Sequence, residues 1–366
     1  MPTIKELINS VQTELGFAPS ANLVGNSDKI AQQLLQIAKS TALQIKASAA
    51  WPELTQVVSY TMFSTSLTGS VSAGSTTITG LSSTTNLQPG FTINASAFLS
   101  DTTSQGDSVR IVSVDSATQV TASRAASVGV SSGSFVFAQD RYSLPANFDK
   151  QQYDTFWQQS QRWKMTGPLT PAEWELRKNG IVAGYPTKRF RVFGQQDEKL
   201  TIDASPVTSD NGAIFVFEYL TRNIFRPKTW AASTTFGPGT YCSLNGNIYY
   251  TTGGGTTGST APRHLSGSVS DGGVTWAFFA DPYETIQADT DSCVFERDVM
   301  EPGIKFAFCK AKRLKYDDYE YDYRRALSSS ITKLQGASIL SMSGQSFTRF
   351  IDEASIPDTG YGAGYQ

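Results

Sequence analysis

The sequence predicts an α+β fold: a helical bundle core with a small β layer, two inserted all-β modules of sandwich or barrel type, and an extended C-terminal arm. Three observations lead there. Apolar residues recur at helical spacing near both ends of the 366-residue chain, and the stretch from Tyr142 to Asn223 holds three of its six tryptophans. Two segments rich in Ser, Thr and Gly interrupt this frame, at 64–134 and 226–283.

The first unit spans 1–63. Thr3 and Glu6 form a capping box before Ile4, Leu7, Ile8, Val11 and Leu15, and Gly16 ends the run. Ser27 opens a longer helix with Ile30, Leu34, Ile37, Thr41 and Ile45 on one face, widened by Leu35, Ala38 and Ala42; it runs to about Ala49, where Trp51-Pro52 breaks it. Two such helices are expected to pack as a hairpin, followed by a first strand over Leu54 to Phe63.

In 64–134 charges almost vanish and short alternating patterns such as Val109, Ile111 and Ser113 are divided by turn residues, which predicts a small β-module serving as surface decoration. The core resumes over 135–225. Pro145 pushes Leu144 into an extended conformation. Thr170 caps a short helix over 171–179, with Pro171 at its first position, Glu173 closing a second capping box and Gly180 ending it. Arg189 to Phe193 and Ala213 to Tyr219 read as strands, the second apolar enough to be buried on both faces.

The second module, 226–283, carries Trp230, Tyr241, Asn245-Gly246, Tyr249, a glycine run from Gly253 to Gly258 and Trp276. Its order of residues is similar to small carbohydrate-binding β-modules of the chitin-binding kind, which gives Trp230, Tyr249 and Trp276 two readings: faces that stack on a sugar ring, or the apolar core of a sheet of this size. His264, beside Arg263, reads as a loop residue. Over 284–337, Asp289-Thr-Asp291 leads to a helix with a Pro302-Gly303 interruption. A second, charge-rich helix over 310–334 places Tyr316, Tyr319 and Tyr323 on one face, as a contact with another helix or a subunit interface. The last segment, 338–366, has no usable period and too few apolar groups to offset its own ordering, so it is expected to stay mobile until it meets a partner.

Tyr142-x-Leu-Pro-x-x-Phe148, Trp157, Trp163, Gly167-Pro168, Thr170-Pro171-x-Glu173-Trp174, Phe190-Arg191 and Phe217-Glu218-Tyr219 together resemble the head-to-tail adaptors of short-tailed bacteriophages, of the tail tubular protein A type. The resemblance covers the core and neither inserted module. It implies that Thr61-Met62-Phe63 and Phe135-Val136-Phe137 are two partner strands of the core parted by an insertion, and that the N- and C-terminal helices pack as one bundle. It also implies a homo-oligomeric ring of about twelve copies beneath the portal protein, above a tail nozzle or tail tube protein. Double-stranded DNA would pass through the lumen without sequence-specific binding. The C-terminal arm would hold the portal through Leu340, Met342, Phe347, Phe350 and Ile351.

Composition narrows the alternatives. A net charge of -2 gives no reason to expect affinity for nucleic acid by phosphate neutralisation. Three cysteines, Cys242, Cys293 and Cys309, with one histidine offer no metal-binding spacing and read as buried free thiols. Glu173 and Glu175 would point to different sides of a helix, Asp317 and Asp318 lie in a solvated run, and the glycine run lacks the lysine of a phosphate loop. The sequence is therefore read as a structural protein of a virion neck. It is expected to have no enzymatic activity, cofactor, metal or membrane span and to be made in the host bacterial cytoplasm. A glycan-binding tail or surface protein, acting on cell-surface glycan or with a tail fibre through 226–283, is the alternative.

Overall fold

A computed structural model describes residues 2–98, 109–174, 188–193, 199–202 and 211–335. It corrects the expected architecture. Of the described residues 33% are strand and 25% helix, the strands distributed over several separate antiparallel sheets, and a helical bundle core is not shown. Helical periodicity is conspicuous in a sequence because one helix displays it over many residues, whereas most strands here are two to nine residues long and rich in Ser and Thr.

Helix α1 (Ile4–Glu14) has the reciprocal Thr3–Glu6 capping box, and α2 (Lys29–Ser48) is capped by Asp28 rather than Ser27: the Asp28 carboxylate accepts from the Ile30 and Ala31 amides. After α2, the Trp51 indole donates to the Ile45 carbonyl at 2.8 Å and its ring meets Phe295 edge-on at 5.1 Å. Helix α3 (Arg297–Ala311) runs through Pro302 without breaking, and α4 (Asp317–Gln335) folds back on it. The predicted hairpin is not what forms: α1 and α2 both pack chiefly on α3. Their apolar cluster is shared with β residues, including Leu220, Ile224, Phe225 and Ile248.

The strand Ile214–Thr221 is the centre of a five-stranded sheet. It pairs along its length with Thr55–Thr61 on one side, and with Phe148–Gln151 and Trp157–Gln158 on the other. Its burial alternates, contrary to the two-faced burial expected. Phe215, Phe217 and Tyr219 point inward, while Ile214 and Glu218 are exposed and Val216 is half-buried. Facing the inward side is a three-stranded sheet of Phe190–Phe193, Lys199–Ile202 and Arg141–Ser143. Between them Phe156 meets Phe190 edge-on at 4.4 Å, and Tyr60 lies 5.2 Å from Tyr142. Gly167 sits at φ +152°, where an added Cβ would come 2.5 Å from the Phe190 carbonyl oxygen, so only glycine fits. The Thr170–Glu173 box is present, with Glu173 accepting from the Thr170 amide at 2.9 Å and Thr170 Oγ1 from the Glu173 amide at 3.3 Å. Residues 171–174 are helical; Glu175 and Gly180 lie outside the described residues.

The first module has two three-stranded sheets, Ser64–Val71, Val130–Ala138 and Thr92–Asn94, and Thr77–Ile78, Gln119–Ala122 and Ile111–Ser116. Phe135 and Phe137 are fully buried in this module's own cluster with Ile78, Phe91 and Val120, so they are not strands of the central core. Paired Phe-x-Phe patterns satisfy either core equally well, which is why sequence spacing misassigns them. Where the module joins the rest, the Arg110 guanidinium grips the Asp140 carboxylate at 2.7 and 2.8 Å and donates to the Gly90 carbonyl at 2.8 Å.

The second module is a four-stranded sheet, Thr240–Leu244, Asn247–Thr251, Val274–Phe278 and Ser268–Asp271, with a small ribbon of Thr235–Phe236 and Gly255–Thr256. Asn245 and Gly246, both at positive φ, make the two-residue hairpin turn. This module is seated rather than simply protruding. Ile248, Tyr241 and Phe279 reach the helical cluster, and the Gly246 carbonyl accepts from Gln56 Nε2 at 2.8 Å.

Candidate assembly surface

The clearest functional feature is the outer face of the five-stranded sheet. Cross-strand register puts Val57 opposite Glu218, and lines up Ser59, Val216 and Trp157 in one row with Lys164, with Thr61 and Ile214 in the next. Val57 is 64% exposed, Ile214 39% and Trp157 36%. Tyr153, in the turn before Trp157, is almost entirely in solvent, whereas Trp163 at the sheet's edge, 42% exposed, stands opposite buried Gln158 and so on the other face. Glu218 and the Lys164–Asp154 ion pair rim this strip. The residues exist in this arrangement because their neighbours go the other way: Phe156 and Gln158, flanking Trp157, are buried. Contiguous exposed apolar surface rimmed by polar groups marks interaction sites. Sequence reasoning placed Trp157 and Trp163 in the core and missed this face; the alternation of Phe156, Trp157 and Gln158 is the signal that could have found it.

The predicted interface residues lie elsewhere. Tyr323 is buried against Phe306, the rings stacked at 6.0 Å, and Tyr316 meets the same ring edge-on at 5.9 Å. Tyr319 packs partly buried on the same helical cluster. The tyrosine stripe packs within the chain, α4 on α3, because the short turn between the two helices folds that face inward. The arm residues Leu340, Met342, Phe347, Phe350 and Ile351 lie outside the described residues.

Of the aromatics proposed to stack on glycan, Tyr249 and Trp276 are fully buried, Trp276 with its ring edge-on to Phe236 at 5.0 Å. Trp230 is half-buried and donates from its indole to the buried Asp271 carboxylate at 2.9 Å. Asp271 also accepts from the Gly258 amide at 2.8 Å, so the glycine run is held by this carboxylate. A ring enclosed on both faces cannot stack on a sugar, and these residues supply the module's core. His264 packs beside Tyr249, 5.0 Å between centroids.

The titratable groups are mostly committed to structure. Burial, assisted by Asp271, pushes the Cys242 thiol up to about 12, and burial does the same to Cys293, so neither is ionised near neutrality. Burial also raises the Tyr219 phenol to about 12; its hydroxyl donates to Gln56 Oε1 at 2.8 Å. Asp291, 1% exposed, accepts on one oxygen from the Tyr283 hydroxyl at 3.0 Å and the Gln287 and Ala288 amides at 2.7 and 3.0 Å. Burial raises its pKa despite these bonds. Its neighbour Asp289 accepts from the Leu23 and Val24 amides, tying the loop after α1 to this turn.

Glu173 is spent on its cap, and Asp317 and Asp318 are exposed on the first turn of α4. Among the described residues no three His, Cys, Asp or Glu side chains gather where they could hold a metal ion, and no helix is long and apolar enough to cross a membrane. No protein-family model matches this chain, and no curated protein matches it.

Proposed function

We propose that the protein is a structural component of a short-tailed phage virion, a head-to-tail adaptor whose copies form a ring of about twelve beneath the portal. The ring extends the channel through which DNA leaves and meets the tail nozzle below. The observation that carries this reading is the outer face of the five-stranded sheet, where Val57, Ile214 and Trp157 stand in water. Such a face is costly for a chain that acts alone and is useful to one that is covered by assembly. It belongs to the same unit that bears the adaptor resemblance: Tyr142, Phe148, Met165, Phe190, Phe217 and Tyr219 converge in one apolar cluster behind it. The arm, through Leu340, Met342, Phe347, Phe350 and Ile351, ties each copy to the portal, and the many arms of a ring turn weak contacts into firm attachment.

The test is to mix the purified chain with the portal ring of the same virus and examine it by sedimentation and electron microscopy. Rings should form on the portal with the full chain, fail with a chain truncated before Ser338, and weaken at least tenfold in affinity with Val57→Ala and Trp157→Ala combined. Failure of the intact chain to bind the portal would remove the adaptor reading.

A further inference from the structure

We propose that unassembled chains pair two-fold through the outer edge of the strand Thr55–Thr61, unpaired among the described residues, joining two five-stranded sheets into one. The inference stands on this edge alone and is independent of the adaptor reading.

The ladder geometry determines which backbone groups are unspent. The Met62 amide donates to the Ala213 carbonyl at 2.8 Å, which makes that pair a hydrogen-bonded one. Counting back along the register, Tyr60–Phe215, Val58–Phe217 and Gln56–Tyr219 are hydrogen-bonded pairs too. The intervening residues Val57, Ser59 and Thr61 therefore turn their N–H and C=O groups away from the sheet. Among the described residues nothing accepts from or donates to them, and all three are exposed.

An open edge is normally guarded by charge, proline, brevity or a covering segment. Several other edges here are. Phe148–Gln151 carries Asp149 and Lys150, and Trp163–Lys164 is two residues long. In the first module Ser70 is bridged to Thr79, and in the second Ser243 is bridged to Thr229. Thr55-Gln-Val-Val-Ser-Tyr-Thr61 has seven residues, no charge and no proline.

The occupant that fits is a second copy in antiparallel register about Ser59. That axis sets Ser59 against the partner's Ser59 and Val57 against the partner's Thr61, so every outward donor meets an outward acceptor. Centring on Val57 instead would bring in Thr55, whose amide is already spent on the Pro52 carbonyl. With no charge on either strand, no like charges are opposed. The pair closes on itself and leaves neither copy's edge open, so growth into fibres is blocked.

Sedimentation of the purified full chain over a range of concentrations should show a monomer–dimer equilibrium. Ser59→Cys should form a disulfide-linked dimer on oxidation, since hydrogen-bonded partners stand about 5.5 Å apart between Cα atoms, within disulfide reach. The native thiols Cys242, Cys293 and Cys309 are buried and do not compete. Val57→Cys should cross-link to Thr61→Cys when the two variants are mixed, and much less to itself. Ser59→Pro removes an outward donor without touching the ladder to Ile214–Thr221 and should weaken dimerisation at least tenfold with an unchanged fold by circular dichroism. A chain monomeric at all concentrations, or cross-linking in which Val57→Cys links to itself as readily as Ser59→Cys, overturns the proposal. So does a larger ring in which Ser59→Cys never links. If Ser59→Pro fails to fold, the cysteine pattern still decides.

Discussion

Asp291 shows how a buried charge can be held at one oxygen and still be a burden. Its three donors converge on Oδ2. Asp291→Ala should therefore destabilise by about 1–3 kcal/mol through orphaned buried donors, whereas Asp291→Asn keeps a carbonyl oxygen for them and sheds the charge. The folded pKa is raised, so this group's contribution to stability is complete below the ordinary carboxylate range and is lost as pH rises through the folded value. Denaturant titrations should find Asp291→Asn at least as stable as wild type at neutral pH, with its advantage shrinking as pH falls toward 4. A loss from Asn equal to that from Ala would refute the single-oxygen account. Nothing in Asp289-Thr-Asp291 discloses this in the sequence, because the donors are identified only once the turn is closed.

Among elements, the helices were the most legible. A capping box is a local contract between residues three apart, and both, at Thr3–Glu6 and Thr170–Glu173, form as the spacing predicts. Pro302-Gly303 was read as an interruption, yet α3 continues, because Gly303 is where α2 and α4 press closest. A Cβ there would lie 2.6 Å from Thr41 Cγ2 and 2.9 Å from the Tyr323 ring. Gly303→Ala should cost about 1–3 kcal/mol in thermal or denaturant unfolding despite alanine's better helix propensity. Thr41→Ser, which removes the clashing methyl, should recover part of that loss; if Gly303→Ala alone is neutral, the close approach is not real. Strand facing was less legible. Ala213 to Tyr219 looked two-sided because Ile214 and Val216 are apolar, and a sequence does not distinguish a residue facing a core from one facing a future neighbour. The Tyr316, Tyr319 and Tyr323 stripe carries the same ambiguity, resolved in the opposite sense.

At the scale of the molecule, four apolar clusters among the described residues divide the work. The first module owns its cluster and meets the rest through neighbouring strands: the Gln139 amide donates to the Phe63 carbonyl at 2.9 Å. Joining Phe63 to Gln139 by a short glycine linker should leave the remainder folded, and a fragment over 64–138 should fold alone; cooperative melting of each piece would confirm it, and a molten remainder would refute it. The second module does not offer this freedom, since Ile248 belongs to the helical cluster and Gln56 binds its turn. That difference was invisible in composition, because both segments are rich in Ser, Thr and Gly and only the contacts of a few apolar residues separate them. The many-sheeted architecture was hidden for a related reason: short strands with weak contrast give no period long enough to count.

The tie between Ile4 and Asp291, an amide to a carbonyl at 2.7 Å, has a consequence for how the chain is made. Helix α1 meets its hydrogen-bond partner Asp291 and its packing surface on α3 only after nearly 300 further residues have been made. At translation rates of about 5–20 residues per second it waits many seconds with its apolar face unshielded. The first β-module, whose apolar cluster is its own, can settle during that interval. Helix α1, made long before α3, becomes native only with it, and a nascent chain arrested before α3 would be a substrate for chaperones.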